Sequence, residues 1–286
     1  MCEQDQFERD RLEYEARGLV TRRQFGVLLG AGVSMMLPRA ANAVTVTGSD
    51  VSITTPDGTC DAFFVHPATG QAPAVLVWPD IFGLRPAFRD MGKRLAESGY
   101  AVLVVNPFYR VKKAPTAEQG GATPIDQVRP LAQGLNEATH MTDARAFIAW
   151  LDQQKPVARS RKVGTQGYCM GGPMAFRTAA AVPDRVGAVA SFHGGGLATT
   201  APNSPHLQAA ATKAQFLIAV AENDDKRNPT EKDTLRETFT KANLPAEIEV
   251  YAAAHGWCPP DSRVYNEPLA EKAWARLLAL YVKALA

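Results

Sequence analysis

The stretch Val163-Gly-Thr-Gln-Gly-Tyr-Cys169-Met-Gly-Gly172 decides how this chain is read. A strand-forming run, Val163 to Gly167, enters a tight Gly-x-Cys-x-Gly turn, and a helical stretch from Met174 to Ala181 follows. Strand, turn and helix in this order form the thiol version of a nucleophile elbow. The middle residue of such a turn stands above the strand ends. The flanking glycines leave out Cβ atoms that would collide where strand and helix approach. The backbone N–H of Met170 is then aimed at a developing oxyanion, and the helix N-terminus favours the thiolate, the reactive form. Cys169 is therefore the candidate nucleophile.

Outward from the elbow, apolar strand-like runs alternate with helical ones. Ala74 to Trp78, Ala101 to Val105, Gly187 to Phe192, Ala214 to Val220 and Glu247 to Tyr251 read as strands. Ala87 to Ser98, Ile125 to Gln153 (broken at Pro130), Thr230 to Ala242 and Glu267 to Leu285 read as helices. Before them, Val51 to Thr55 and Asp61 to His66 flank a Pro56-Asp-Gly turn and predict a hairpin. The alternation predicts an α/β fold with a mostly parallel central sheet and helices on both faces. Residues 111–124 are loop-like and suited to lie over a site.

In an elbow of this kind the chain order is nucleophile, acid, histidine. His255, in Tyr251-Ala-Ala-Ala-His-Gly-Trp257, follows a late strand and precedes the last helix. It is placed to take the thiol proton and return it to a leaving oxygen. Asp224, in Ala221-Glu-Asn-Asp-Asp225, follows the preceding strand and can orient the imidazole, with Asp225 and Glu222 as adjacent alternatives. His193 opens a His-Gly-Gly-Gly run, but that oxyanion motif belongs before the nucleophile, so it reads as a Gly-rich strand end. His66, His140 and His206 read as structural or surface residues.

Composition narrows the partners. The 286 residues are 46% hydrophobic and 21% charged, with a formal net charge of +2, and the mean hydropathy is −0.17. So small a charge, without a long basic run, argues against nucleic acid. No apolar stretch is long enough for stable membrane insertion. Of the four cysteines, Cys2, Cys60, Cys169 and Cys258, none forms a Cys-x-x-Cys pair or a zinc-like spacing with histidine. No metal or organic cofactor is expected.

The first 43 residues read as an address. A polar start leads to Thr21-Arg22-Arg23-Gln-Phe25, then an apolar run from Gly26 to Leu37, then Ala41-Asn-Ala43. This resembles a twin-arginine export signal cleaved after Ala43. It predicts a signal over 1–43, a single catalytic domain over 44–286, the twin-arginine machinery as a transient partner, and a periplasmic or secreted product. Three cysteines then remain where disulfides can form, and a Cys60–Cys258 bridge is not expected.

Together, the Gly-Tyr-Cys-Met-Gly-Gly run, the Glu222-Asn-Asp224 segment and the Ala254-His255-Gly256 segment resemble the dienelactone hydrolases (carboxymethylenebutenolidases), members of the α/β-hydrolase superfamily. The resemblance runs from the Pro56-Asp-Gly hairpin to the last helix. It implies a small ester or lactone as substrate, a Cys–His–Asp triad and a thioester intermediate, with the Ile81 and Met170 N–H groups as oxyanion donors. It also implies a thiol-modulating carboxylate, and the matching residue is Asp80 where the family has glutamate. Tyr109 and Arg110 fall in a run similar to one that binds the substrate carboxylate, about one position out of register, and Trp257 is a further candidate pocket residue. The family's arginine shortly after the histidine is missing from Gly-Trp-Cys-Pro-Pro-Asp-Ser-Arg263. A broad carboxylesterase, an acyltransferase, and a non-catalytic binding protein on the same fold remain alternatives.

Overall fold

The apolar runs become the centre of one sheet. A computed structural model describes residues 4–21, 37–38, 43–118 and 123–286. Its strands are β1 (Val46–Thr55), β2 (Gly58–Pro67), β3 (Ala74–Trp78), β4 (Ala101–Val105), β5 (Val163–Tyr168), β6 (Val186–Phe192), β7 (Gln215–Ala221) and β8 (Ala246–Tyr251). Their spatial order is β1-β2-β4-β3-β5-β6-β7-β8. The β1–β2 hairpin is antiparallel and pairs antiparallel with β4. Every pairing from β4 to β8 is parallel. This is the mostly parallel α/β sheet that the alternation of elements predicts, in the arrangement that the α/β-hydrolase resemblance implies.

The central strands are apolar throughout because both faces are covered. In β3, Leu76 and Trp78 belong to one core with Phe147, Met174 and Phe176, while Val75 and Val77 belong to another with Phe88, Leu95 and Tyr281. That split is the period-two alternation of a strand with helices on both sides. The helices are α1 (Gln4–Ala16), α2 (Pro86–Glu97), α3 (Ile125–Val128), α4 (Glu137–Leu151), α5 (Gly171–Ala181), α6 (Glu222–Arg227), α7 (Glu231–Lys241) and α8 (Glu267–Ala284).

The helical stretch expected over 125–153, with a break at Pro130, is three pieces. After α3, Arg129–Ala132 forms a 3₁₀ turn with Pro130 in it, and α4 begins afresh. Asn136 starts α4 through a capping box, in which its side chain accepts from the Thr139 N–H at 3.2 Å while the Thr139 hydroxyl accepts from the Asn136 N–H at 2.9 Å. Reciprocal capping satisfies two otherwise orphaned donors, so the chain gains by starting a helix there.

Helix α1 lies inside the stretch read as the start of an export signal, and its apolar spacing does not announce it. Its buried anchor is Tyr14, 1% exposed, packed with Ala254 and Val264. The twin arginines Arg22 and Arg23 and most of the apolar run fall outside the described residues. Among the described residues, no helix is long and apolar enough to cross a membrane. Cys60, Cys169 and Cys258 are all free thiols.

Candidate active site

The elbow follows from backbone crowding. Cys169 has φ of +53°, in the left-handed region that costs a non-glycine residue energy and is kept where the surroundings enforce it. A Cβ on Gly167 would fall inside the Gly171 carbonyl, and one on Gly171 would fall inside the Trp78 carbonyl. The crossing of β5, α5 and the end of β3 therefore exists only because both positions are glycine. Gly167→Ala is expected to cost about 3 kcal/mol or more, as overpacking against backbone that has little room to move. Urea unfolding of the variant checks this, and an unchanged midpoint would contradict it.

Cys169 lies at the N-terminal end of α5, half-buried in a cavity of about 910 Å³ that is also lined by Ile81, Met170, Asp224 and His255. Among the described residues, the N–H groups of Ile81 and Met170 donate to no acceptor in the protein. Both are thus free for a ligand at the mouth of the elbow.

His255 follows β8, and its ring is fixed from β7. Its Nδ1 lies 2.6 Å from Asp224 Oδ2, and its backbone N–H donates to Asn223 Oδ1 at 2.8 Å. The adjacent Asp225 turns away and accepts from Lys232 at 2.6 Å. Successive residues of the short helix α6 point about 100° apart, so only one of the two aspartates can meet the histidine. Burial disfavours a charged imidazole, but the Asp224 carboxylate, and Cys169 after it, outweigh burial and hold the His255 pKa well above its ordinary value. Among the described residues, Nε2 is buried and has no hydrogen-bond partner at ordinary geometry. Its interaction with the thiol is therefore loose, as such contacts often are before substrate binds.

His193 also reaches this cavity. Its ring is fully buried and stands edge-on to His255, with centroids 5.1 Å apart. Burial first, and the charge of His255 second, push its pKa well below the usual histidine range. It forms a neutral wall behind the base.

Asp80 lies in the cavity wall, but its carboxylate is engaged elsewhere. It accepts from the Phe82 N–H at 2.9 Å and from two nitrogens of Arg85 at 2.7 and 3.0 Å. Arg85, 3% exposed, also grips Asp261 at 2.6 and 2.9 Å. Arg85 and Asp261 are thus cavity residues that sequence reasoning missed. No spacing links two positions 176 residues apart.

The residues expected to bind substrate are not at the cavity. Arg110 is held by Asp143 at 2.7 and 2.8 Å and by Asp57 at 2.6 Å. Tyr109 is buried, with its hydroxyl between Thr55 and Asp143, each at 2.8 Å. Trp257 is fully buried, stacked on Tyr251 and edge-on to His193. A buried Asp143 requires a countercharge, and Arg110 supplies it. An aromatic ring two residues past the histidine packs into the core instead of facing a ligand.

Fold and elbow define an α/β-hydrolase. Comparison with known proteins makes the class specific: the dienelactone hydrolase family profile matches residues 60–285. A protein of Synechocystis sp., provisionally named a carboxymethylenebutenolidase, is 31% identical over 220 residues, covering 75% of this chain and 87% of its own. The carboxymethylenebutenolidase of Rhodococcus opacus is 29% identical over 199 residues, covering 68% and 74%. A Klebsiella pneumoniae crystal structure, provisionally described as a dienelactone hydrolase, superposes with a TM-score of 0.73 at 24% identity, covering 84% of this chain and 99% of its own. The chain belongs to the dienelactone hydrolase family and is a hydrolase of carboxylic ester or lactone bonds.

Proposed function

We propose that the chain cleaves small neutral esters or lactones through a Cys169–His255–Asp224 triad. The observation that carries the triad is the 2.6 Å Asp224–His255 hydrogen bond beside the elbow thiol. The Cys169 thiolate attacks the carbonyl carbon, and the oxyanion is held by the Ile81 and Met170 N–H groups. His255 gives its Nε2 proton to the departing alkoxide as the carbon–oxygen bond breaks, leaving a thioester. His255 then takes a proton from water, whose oxygen attacks the thioester, and the carboxylic acid leaves as the thiolate is restored. Asp224 holds the tautomer and stabilises the imidazolium.

The preference for a neutral substrate rests on the charges at the cavity. Arg85 is bound by Asp80 and Asp261, Arg227 by Asp10 and Asp224, Arg129 by Asp126 at 3.4 Å and Arg263 by Glu8 at 4.0 Å. Each guanidinium already faces a carboxylate of the protein, which offsets its pull on a substrate carboxylate. A panel of an activated phenyl ester, a neutral lactone and a dienelactone tests this. Turnover that iodoacetamide abolishes, with kcat/KM for the neutral substrates at least equal to that for the dienelactone, is expected. A strong dienelactone preference would contradict it.

We also propose export by the twin-arginine route. The Arg22-Arg23 pair, the apolar run and the Ala41-Asn-Ala43 site support it. N-terminal sequencing of protein recovered from the periplasm is expected to begin at Val44. A start at the initiator methionine would contradict cleavage.

A further inference from the structure

The polar stretch ahead of the twin arginines forms part of the cavity. Gln6 and Phe7 of α1 line it together with Cys169 and His255. Phe7, Asp10, Tyr14 and Arg17 are spaced three, four and three residues apart and so share one helix face, and that face is the one that docks. The Tyr14 hydroxyl donates to Glu222 at 2.7 Å, and Arg17 donates to the same carboxylate at 2.6 Å. Asn223 donates to Asp10 at 2.9 Å, and Arg227 also pairs with Asp10. After the helix, the Thr21 N–H donates to the Tyr265 carbonyl at 2.9 Å.

These partners belong to the segments that carry Asp224 and His255. Tyr14 and Asp10 fix the height and rotation of α1, and the same face carries Phe7 into the lining of the cavity. A helix held by both a buried aromatic and paired charges has a defined seat on the body.

We infer that α1 is a wall of the substrate cavity, with Phe7 and Gln6 as specificity-determining residues that exclude long acyl or alcohol chains. The inference rests on the ester-cleaving function proposed above. Removal of residues 1–43 would take this wall away, so the full chain and a chain cleaved after Ala43 would accept different substrate sizes.

The test uses the full chain, with Phe7→Ala cutting the wall and Tyr14→Ala loosening its seat. Hydrolysis of p-nitrophenyl acetate and p-nitrophenyl octanoate is compared. In parallel, alkylation of Cys169 by iodoacetamide and by N-pyrenylmaleimide is followed by mass spectrometry, a readout of access that does not require turnover. In both variants the octanoate-to-acetate ratio of kcat/KM and the pyrenyl-to-iodoacetamide ratio of labelling rates are expected to rise about tenfold or more, the scale of a few apolar contacts in a pocket. Unchanged ratios in both variants would overturn the inference. So would a Phe7→Ala ratio like wild type combined with a Tyr14→Ala loss on both esters alike, since α1 would then brace the catalytic loops without walling the site. Should the wild-type chain cleave neither ester, the proposed function fails, while the labelling ratios still decide whether α1 is a wall.

Discussion

Cys169→Ala is expected to reduce turnover of an activated ester by on the order of 10⁴-fold or more, because a triad loses nearly all its effect when the nucleophile is removed. The fold should survive. Cys169 is half-buried, its side chain is small, and its strained backbone is set by the glycines around it. Matched far-UV spectra and unfolding midpoints, with kcat/KM measured on both proteins, check the claim. Activity within tenfold of wild type would remove Cys169 from the mechanism. The expectation depends on the elbow, where the left-handed Cys169 and the two glycine crossings leave the thiol at the mouth of the cavity, beside two N–H groups that are unpaired among the described residues.

Arg85→Ala is expected to destabilise the protein by about 3–5 kcal/mol, the usual cost of leaving buried charge without its partner. The guanidinium is 3% exposed and engages Asp80 and Asp261, which are 7% and 4% exposed. Removing it leaves two carboxylates in the cavity wall without their shared countercharge. Burial alone would depress the arginine's pKa, but the two aspartates outweigh it and hold the group charged. Urea unfolding gives the difference directly, and a change below about 1 kcal/mol would show that water already compensates these charges. The loop that carries Ile81 should also loosen, so residual activity should fall along with stability.

The sheet was legible because buried parallel strands carry apolar residues on both faces, and Ala74 to Trp78 and Ala101 to Val105 need no context to read. The elbow was legible because only glycine permits the β5–α5 crossing. Cys169, Asp224 and His255 were ordered along the chain as such a site requires. Asp224 was preferred to Asp225 on the family resemblance; from the short helix α6, Asp224 meets His255 and Asp225 meets Lys232. Arg110 was misleading for a different reason. Its partners Asp57 and Asp143 come from the hairpin turn and from α4, and a sequence does not show which distant carboxylate claims a guanidinium. Trp257 misled in the same way, because nearness to a histidine along the chain does not say whether a ring faces the core or the ligand. Helix α1 was invisible. Its seat depends on one buried tyrosine and on polar pairs to Glu222, Asn223 and Arg227, more than 200 residues away, and neither leaves a periodic apolar stripe.

Asp80 shows how a family pattern and a local structure can part. The resemblance implies a carboxylate that helps ionise the thiol, and Asp80 stands in the matching loop and in the same cavity. Among the described residues, its hydrogen bonds run to Phe82 and Arg85.

The central claim is that Cys169 carries the acyl group. The most direct measurement is rapid acid quenching of the full chain during turnover of an activated ester, followed by peptide mass spectrometry. The account predicts a mass increase equal to the acyl group on the peptide containing Cys169, removed by hydroxylamine at neutral pH and absent from Cys169→Ala. An acyl group on any other residue, or turnover with no acylated peptide while Cys169→Ala remains active, would contradict it.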